Sequence, residues 1–335
     1  MPSARLRVAF QMDPMEGIGI AGDSSFALML AAQARGHELW HYTADALSWQ
    51  QDAEQGTLTA RATRIEHVER TSGAHFRAGE VRELDLGDEI DVIWMRQDPP
   101  FDLGYITATH LLERVAQRTL VVNDPTEVRN APEKLWVLDF ARFMPPTLIT
   151  RDVAAVRAFH ARHGAIVVKP LHGNAGAAVF RIGEDGANIG ALSELFGHVW
   201  REPFMVQPFL PEVREGDKRI VLVDGEVAGA INRVPGAGEI RSNLAAGGSA
   251  HATQLTERER EICAALAPEL KRRGLLFVGI DVIGGKWLTE INVTSPTGIV
   301  VMDAFNGTDT AAMIWDAVEA KVAARTGGRT VAEGR

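Results

Sequence analysis

The chain has 335 residues, of which 46% are hydrophobic and 24% charged, and its formal net charge is -9. That length and composition suit a large core in two domains or a compact three-part body. The acidic balance argues against a nucleic-acid or membrane-surface binder, because phosphates must be met by an excess of Lys and Arg, although a local cluster of cations can still hold a small anion. A single cysteine, Cys263, excludes an internal disulfide and suits a reducing compartment. Its setting in Glu261-Ile262-Cys263-Ala264-Ala265 reads as a helix interior. Residues 1–5 lead straight into a strand-like run with no signal-peptide stretch, and no segment reaches the ~20 apolar residues of a membrane span, so a cytoplasmic location is expected.

The first third alternates strands and helices. Residues 6–11 predict a strand ending at Asp13-Pro14, and Asp23-Ser24 caps a helix that Gly36 ends in the left-handed position. Residues 38–42 and the apolar run 90–95 predict strands, the second buried on both faces as in a parallel sheet. A helix over 105–118 and a strand over 120–122 complete a βαβ-type domain ending near Asn123. Gly17-Ile18-Gly19-Ile20-Ala21-Gly22 matches a dinucleotide fingerprint in spelling, but no helix begins within it and no acidic ribose partner follows clearly. A flexible loop is the better reading.

Beyond Asn123 the pattern changes. Pro132 opens a short helix containing Lys134, and residues 147–150 predict a strand; Asp152 caps a helix ending at Gly164. Residues 166–169 and 178–182 predict strands around a Gly/Ala-rich loop, and 204–209 another strand. Residues 219–223 and 226–231 flank Asp224-Gly225, a strong hairpin signal. Residues 235–249 are rich in Gly and Ala without periodicity, the length and composition of a lid. Thr256-Glu257-Arg258-Glu259 is a capping box for a helix that Gly274 ends. Strands over 276–283 and 287–291 and a helix over 309–324 follow, with fraying expected after Thr326.

Three groups of residues point to chemistry. Alternation puts Gly279 and Asp281 on one face of their strand, and Glu290 and Asn292 on one face of the next. If a four-residue loop over 284–287 joins them, Asp281 lies opposite Glu290 and three oxygen-bearing side chains converge. Such hard ligands suit Mg²⁺ that also holds nucleotide phosphates, though a solvated sheet face would show the same alternation. Lys169, ending the run Val167-Val168-Lys169-Pro170 ahead of Gly173 and Gly176, can place a cation and backbone N–H groups on phosphate; a surface lysine on a hairpin loop fits the same spelling. Gly216-Asp217-Lys218-Arg219, with Arg233, Arg241 and Asn243 beyond it, gathers Arg in an acidic chain, as an anionic ligand requires and as ordinary surface charge would also give.

These elements follow the order of the ATP-grasp ligases, and the chain resembles the bacterial-type glutathione synthetases over nearly its whole length. The resemblance rests on Met12-Asp13-Pro14, Asp23-Ser24-Ser25-Phe26-Ala27, Met95-Arg96-Gln97-Asp98-Pro99-Pro100-Phe101-Asp102 and Glu133-Lys134-Leu135. It continues in Gly216-Asp217-Lys218-Arg219, Asn243-Leu244-Ala245-Ala246-Gly247-Gly248 and Leu288-Thr289-Glu290-Ile291-Asn292-Val293-Thr294-Ser295-Pro296. It implies an α/β fold, α+β in its C-terminal part. A Rossmann-like parallel-sheet domain over 1–123 would precede an ATP-grasp domain over 124–326, itself a lid subdomain over about 124–206 and a catalytic subdomain over about 207–326, with a disordered tail over 327–335.

The resemblance also implies roles. Lys134 and Lys169, with Gly173 and Gly176, would bind ATP phosphates, and Gln207, Phe209 and Leu210 would form the hinge against adenine with Asp217 nearby. Arg219, Arg233 and Arg241 would be the catalytic cations; Asp281, Glu290 and Asn292 would hold two Mg²⁺, for which Mn²⁺ could substitute. Arg96, Asn243 and Ser295 would face the substrates under a loop closing over 233–248. The implied partners are ATP, γ-glutamylcysteine and glycine, joined through an acyl phosphate to give glutathione, ADP and phosphate in a homo-oligomer. His172 and Ala175 depart from the Asp and Gly of the family's loop. The competing readings are a ligase joining other amino acids and a nucleotide-binding protein without turnover.

Overall fold

A computed structural model describes residues 5–52, 54, 56–173, 176–199, 201–243 and 247–332, with side chains described as far as Arg325. Ala175, Leu244, Ala245, Ala246 and the last three residues, on which sequence expectations fall, lie outside the described residues. The chain folds into three sheets.

The first sheet contains β1 (Arg7–Gln11), β2 (Glu38–Tyr42), β3 (Leu47–Gln50), β4 (Thr57–Val68), β5 (Phe76–Asp85), β6 (Val92–Met95) and β7 (Leu120–Val122). Its parallel part runs β2-β1-β6-β7. All four residues of β6 are buried, as a parallel strand covered on both faces requires. Between β1 and β2 lies α1 (Ser24–Ala34), whose N-terminus is capped by the Asp23 carboxylate accepting from the Phe26 N–H at 2.6 Å. The chain leaves it through Gly36 at φ 80°. No strand is predicted over β3, β4 and β5, which extend the sheet antiparallel from β2. Their alternation is faint because two of the buried positions are Ala60 and Ala62, and register shifts around Ile65 break the period of two.

Helices α2 (Leu103–Glu113) and α3 (Pro125–Arg129) lead out of this sheet. Lys134 sits in a turn and not in the helix expected around it: the N–H groups of Leu135 and Trp136 both bond the Pro132 carbonyl, and a 3₁₀ helix begins only at Trp136. The second sheet, order β10-β9-β11-β8, is made of β8 (Leu148–Thr150), β9 (Ile166–Pro170), β10 (Phe180–Ile182) and β11 (Phe204–Pro208). Its core is closed by α4 (Val153–His163) and α5 (Ile189–Val199) through Val156, Phe159, Ile189 and Phe196.

The third sheet, order β14-β13-β12-β15-β16, holds β12 (Asp217–Val223), β13 (Glu226–Val234), β14 (Ser249–Ala252), β15 (Phe277–Ile283) and β16 (Trp287–Asn292). Asp224 at φ 47° and Gly225 at φ 80° make the tight turn between β12 and β13, both residues left-handed as a type I′ turn demands. The expected lid is an excursion over 235–248, since Val234 pairs with Ser249. Helix α6 (Glu257–Arg272) opens with the capping box Thr256–Glu259. Then come α7 (Ile299–Asn306) and α8 (Thr310–Ala332).

Helix α8 runs past Thr326, where fraying is expected; no proline interrupts its ladder, and Gly327-Gly328 lower helix propensity without ending it. It returns to the first sheet, where the Trp315 indole donates to the Leu28 carbonyl and Arg35 reaches Asp316 at 2.7 Å. Among the described residues no helix is long and apolar enough to cross a membrane.

Candidate functional site

Between the second and third sheets lies a cavity of ≈ 530 Å³. Its floor is the β15–β16 hairpin. Only three residues, 284–286, turn this hairpin, one fewer than expected, but a bulge between Asp281 and Val282 absorbs the difference. Asp281 therefore still lies opposite Glu290, and Gly279 opposite Asn292, whose amide points to Asp281 Oδ2 at 3.4 Å.

The neighbouring strands supply cations. Arg219 on β12 faces Asp281 across the sheet and donates to both its oxygens, Nε to Oδ1 at 2.6 Å and Nη2 to Oδ2 at 3.0 Å. This fork-to-fork contact fixes the guanidinium plane. Gly279 leaves the room it needs, because a Cβ there would stand 3.1 Å from Arg219 Cδ. Arg233 on β13 bridges Asp281 Oδ1 at 3.0 Å and Asp217 Oδ2 at 2.6 Å, and the Ser242 hydroxyl adds a bond to Asp217 at 2.9 Å. Burial disfavours charge on both carboxylates, but with different outcomes. The two guanidiniums against Asp281 hold it well below the usual carboxylate range, whereas burial wins at Asp217 and pushes it up despite Arg233.

From the opposite side two lysines point at Glu290. Lys134 Nζ stands 3.4 Å and Lys169 Nζ 3.8 Å from Glu290 Oε1, and Lys134 also donates to the Gly173 carbonyl at 2.6 Å. Burial pulls the Lys169 ammonium below its ordinary value although Glu290 opposes it. At Lys134 burial acts the same way but is outweighed by Glu290 and Glu133, which hold its ammonium above the ordinary value. The back wall is Gln207, Phe209 and Leu210 at the end of β11; the Gln207 amide donates to Thr147 and the Phe209 N–H to the Ala165 carbonyl. Two loops close the top. Arg241 pairs with Glu239 at 2.6 Å, and Gly176, at φ 76°, lies so near the 235–248 loop that a Cβ would stand 2.7 Å from Asn243 Oδ1.

Of the site residues expected from sequence, all but Arg96 line this cavity. Arg96 is buried behind it, donating to Ser25 Oγ at 2.9 Å and the Pro296 carbonyl at 3.0 Å, while the Ser295 hydroxyl meets its backbone carbonyl. Two lining carboxylates, Asp98 and Glu133, received no role in the sequence reading. Both stand inside the stretches that carry the family resemblance, 95–102 and 133–135, and the only local signal is their place next to Pro99 and Lys134. Asp281, Glu290 and Asn292 offer two carboxylates and an amide; among the described residues no group of three or more His, Cys, Asp or Glu is placed to hold a metal ion. A set this sparse fits Mg²⁺, which takes its remaining ligands from phosphates and water.

The chain matches the models of two domains: the prokaryotic glutathione synthetase N-terminal domain over residues 6–129, and its ATP-grasp domain over 133–307. It is 57% identical over 316 residues to the glutathione synthetase of Rhodopseudomonas palustris, covering 94% of this chain and 99% of the relative. With that of Bradyrhizobium diazoefficiens it shares 55% over 317 residues, covering 95% and 99%. The enzyme of Salmonella typhimurium is more distant, at 43% over 321 residues with 95% and 99% covered. Among solved structures, the D-cycloserine synthetase DcsG superposes with a TM-score of 0.66 at 18% identity, covering 94% of this chain and 99% of that one. The macrocyclase MdnC of Microcystis aeruginosa gives 0.61 at 16%, covering 93% and 98%. Identities this low speak to fold alone, and with the domain models they give the ATP-grasp architecture that the order of motifs predicts.

Proposed function

The chain belongs to the prokaryotic glutathione synthetase family, and on that premise we propose that its cleft joins glycine to γ-glutamylcysteine with cleavage of ATP to ADP and phosphate. The observation that carries this reading is the convergence of Lys134, Lys169, Arg219 and Arg233 on Glu290 and Asp281 in one cavity. Four cations around a largely buried floor suit a triphosphate and a carboxylate.

Adenine rests against Gln207, Phe209 and Leu210 with Asp217 nearby, and the phosphates lie between Lys134, Lys169 and the backbone of Gly173 and Gly176. The cysteinyl carboxylate attacks the γ-phosphorus; the bond to the β,γ-bridging oxygen breaks and ADP leaves with that electron pair. The product is an acyl phosphate. The glycine amine then forms the C–N bond, and the C–O bond breaks with its electron pair passing to phosphate, which takes up the proton that the nitrogen loses. Arg219, Arg233 and Arg241 hold the negative charge that develops on the transferring oxygens, and the 235–248 loop with Asn243 keeps out water that would hydrolyse the intermediate. Asp281, Glu290 and Asn292 would hold Mg²⁺, as two ions with Mn²⁺ as a substitute, and the metal would supply positive charge against the phosphates. We place the enzyme in the cytoplasm as a homo-oligomer, in keeping with its lone buried thiol and the family's habit.

An assay of ADP release tests the reading. Turnover is expected with γ-glutamylcysteine and glycine and not with pairs of D-alanine. ADP formed with D-alanine pairs alone would replace this reading by that of a different ATP-grasp ligase.

A further inference from the structure

Five carboxylates line the cleft: Asp98, Glu133, Asp217, Asp281 and Glu290. Three are already answered by cations, Asp217 by Arg233, Asp281 by Arg219 and Arg233, and Glu290 by Lys134 and Lys169. Asp98 and Glu133 form no ion pair within 4.0 Å among the described residues. The cations that act on them make their hydrogen bonds to other groups: Arg96 donates to Ser25 and Pro296, with Nη1 unpartnered, and Lys134 donates to Gly173. Burial pushes both carboxyls up, further evidence that each lacks a full counter-charge. An uncompensated carboxylate in a cleft is destabilising until a ligand brings the missing positive charge.

The ligase reaction above brings two such charges, the α-ammonium of the γ-glutamyl group and the ammonium of glycine. Resting on that reading, we infer that Asp98 receives the α-ammonium of the donor peptide and Glu133 the ammonium of the acceptor amino acid. The surroundings decide which is which. The acceptor nitrogen must come within bonding reach of the acyl carbon, and so close to the phosphate cations. Glu133 is flanked by Lys134 and feels Glu290 and Arg219, while the Thr294 hydroxyl holds its Oε1 at 3.0 Å and leaves the other oxygen for a ligand. The donor ammonium stands the whole γ-glutamyl chain away from the reacting carboxyl. Asp98 suits that end of the peptide: its charged neighbours are Arg96, Asp13 and Asp23, none of them on β15 or β16, its carboxylate accepts from Ser295 beyond the end of β16, and its N–H is held by Asp13 Oδ2 at 2.8 Å. The two extra aspartates deepen the negative potential where the donor's α-ammonium would sit.

The test compares each substrate with an analogue lacking the charge. For Asp98→Asn, KM for γ-glutamylcysteine should rise roughly tenfold or more, the loss of one charge-assisted contact. KM for N-glutarylcysteine, which has no α-amino group, should match the wild-type value, as should KM for glycine. For Glu133→Gln, KM for glycine should rise by a similar factor, while hydroxamate formation from hydroxylamine, uncharged at neutral pH, should continue at the wild-type rate. Equal losses with charged and uncharged partners would make the two residues structural and overturn the inference. The reverse assignment of effects would overturn it as well. Wild-type protein that forms no glutathione would instead overturn the ligase reading itself.

Discussion

On the floor of the cleft, Asp281, Arg219, Arg233 and Asp217 sit on adjacent strands and hold one another at 2.6 to 3.0 Å with almost no solvent. In the loops above, the Arg241–Glu239 pair is equally short at 2.6 Å, yet each side chain is about a third exposed, and the Gly176 backbone lies in a conformation few side chains tolerate. Distance does not separate these regions; burial does. An exposed ion pair contributes about 0 to 1 kcal/mol, whereas removing one partner of a buried network costs about 3–5 kcal/mol. The floor is thus set before any substrate arrives, which is how fixed dipoles and charges stabilise a transition state. An exposed pair such as Arg241–Glu239 costs little to break, so the Arg241 guanidinium is available to a substrate.

The largest effect is expected on the floor. Asp281→Asn should abolish turnover and also lower stability by about 3–5 kcal/mol in urea melts, because two buried guanidiniums lose their shared acceptor. The sign with pH follows: since the folded carboxyl lies below its ordinary value, its contribution is complete above about pH 4 and lost as pH falls towards the depressed value. Glu290→Gln separates the two functions of the floor. Its carboxylate is partly exposed, at 23% against 4% for Asp281, so turnover should vanish while stability falls by less than in Asp281→Asn. Wild-type product formation by either variant would remove the floor from the chemistry.

Smaller effects are expected away from the Asp281–Glu290 floor. Lys169→Met keeps the aliphatic stem and the fold, and calorimetry should show ATP affinity at least about tenfold weaker, a loss of about 1.4 kcal/mol. Unchanged affinity would make this buried lysine a spectator. Arg241→Ala should leave stability within about 1 kcal/mol of wild type while phosphate release outruns glutathione formation, because the acyl phosphate meets water. Matched amounts of the two products at full rate would make the loop a plain connector. The smallest effect belongs to His172→Asp. The imidazole stacks on Phe101 with centroids 5.8 Å apart and planes at 23°, a contact worth about 0.5–1.5 kcal/mol, so activity should fall by no more than about tenfold.

What could be read from sequence, and what could not, follows the same division by range. The Asp224-Gly225 turn and the Thr256–Glu259 capping box are complete within a few residues, and the structure has both. The pairing of Asp281 with Glu290 follows from alternation across one short hairpin, and a bulge corrects the turn that was one residue too long. The clamp of Arg219 and Arg233 on Asp281 joins residues 62 and 48 positions apart, by subtraction of their numbers, and no local spelling announces it. Arg96 shows the converse: its type suggests a ligand contact, but its place at the end of buried β6 puts the guanidinium behind the cleft wall, against Ser25 and Pro296. Strands β4 and β5 are not legible in the sequence, because small buried residues and bulges blur a period of two.

The central claim is that a carboxylate is activated by phosphate on this preset floor, and transfer of isotope tests it most directly. γ-Glutamylcysteine carrying ¹⁸O in its cysteinyl carboxylate, turned over with ATP and glycine, should deliver one labelled oxygen to each phosphate released, with none in ADP. Phosphate free of label, formed alongside glutathione at the normal rate, would contradict an acyl phosphate and with it the role given to the floor.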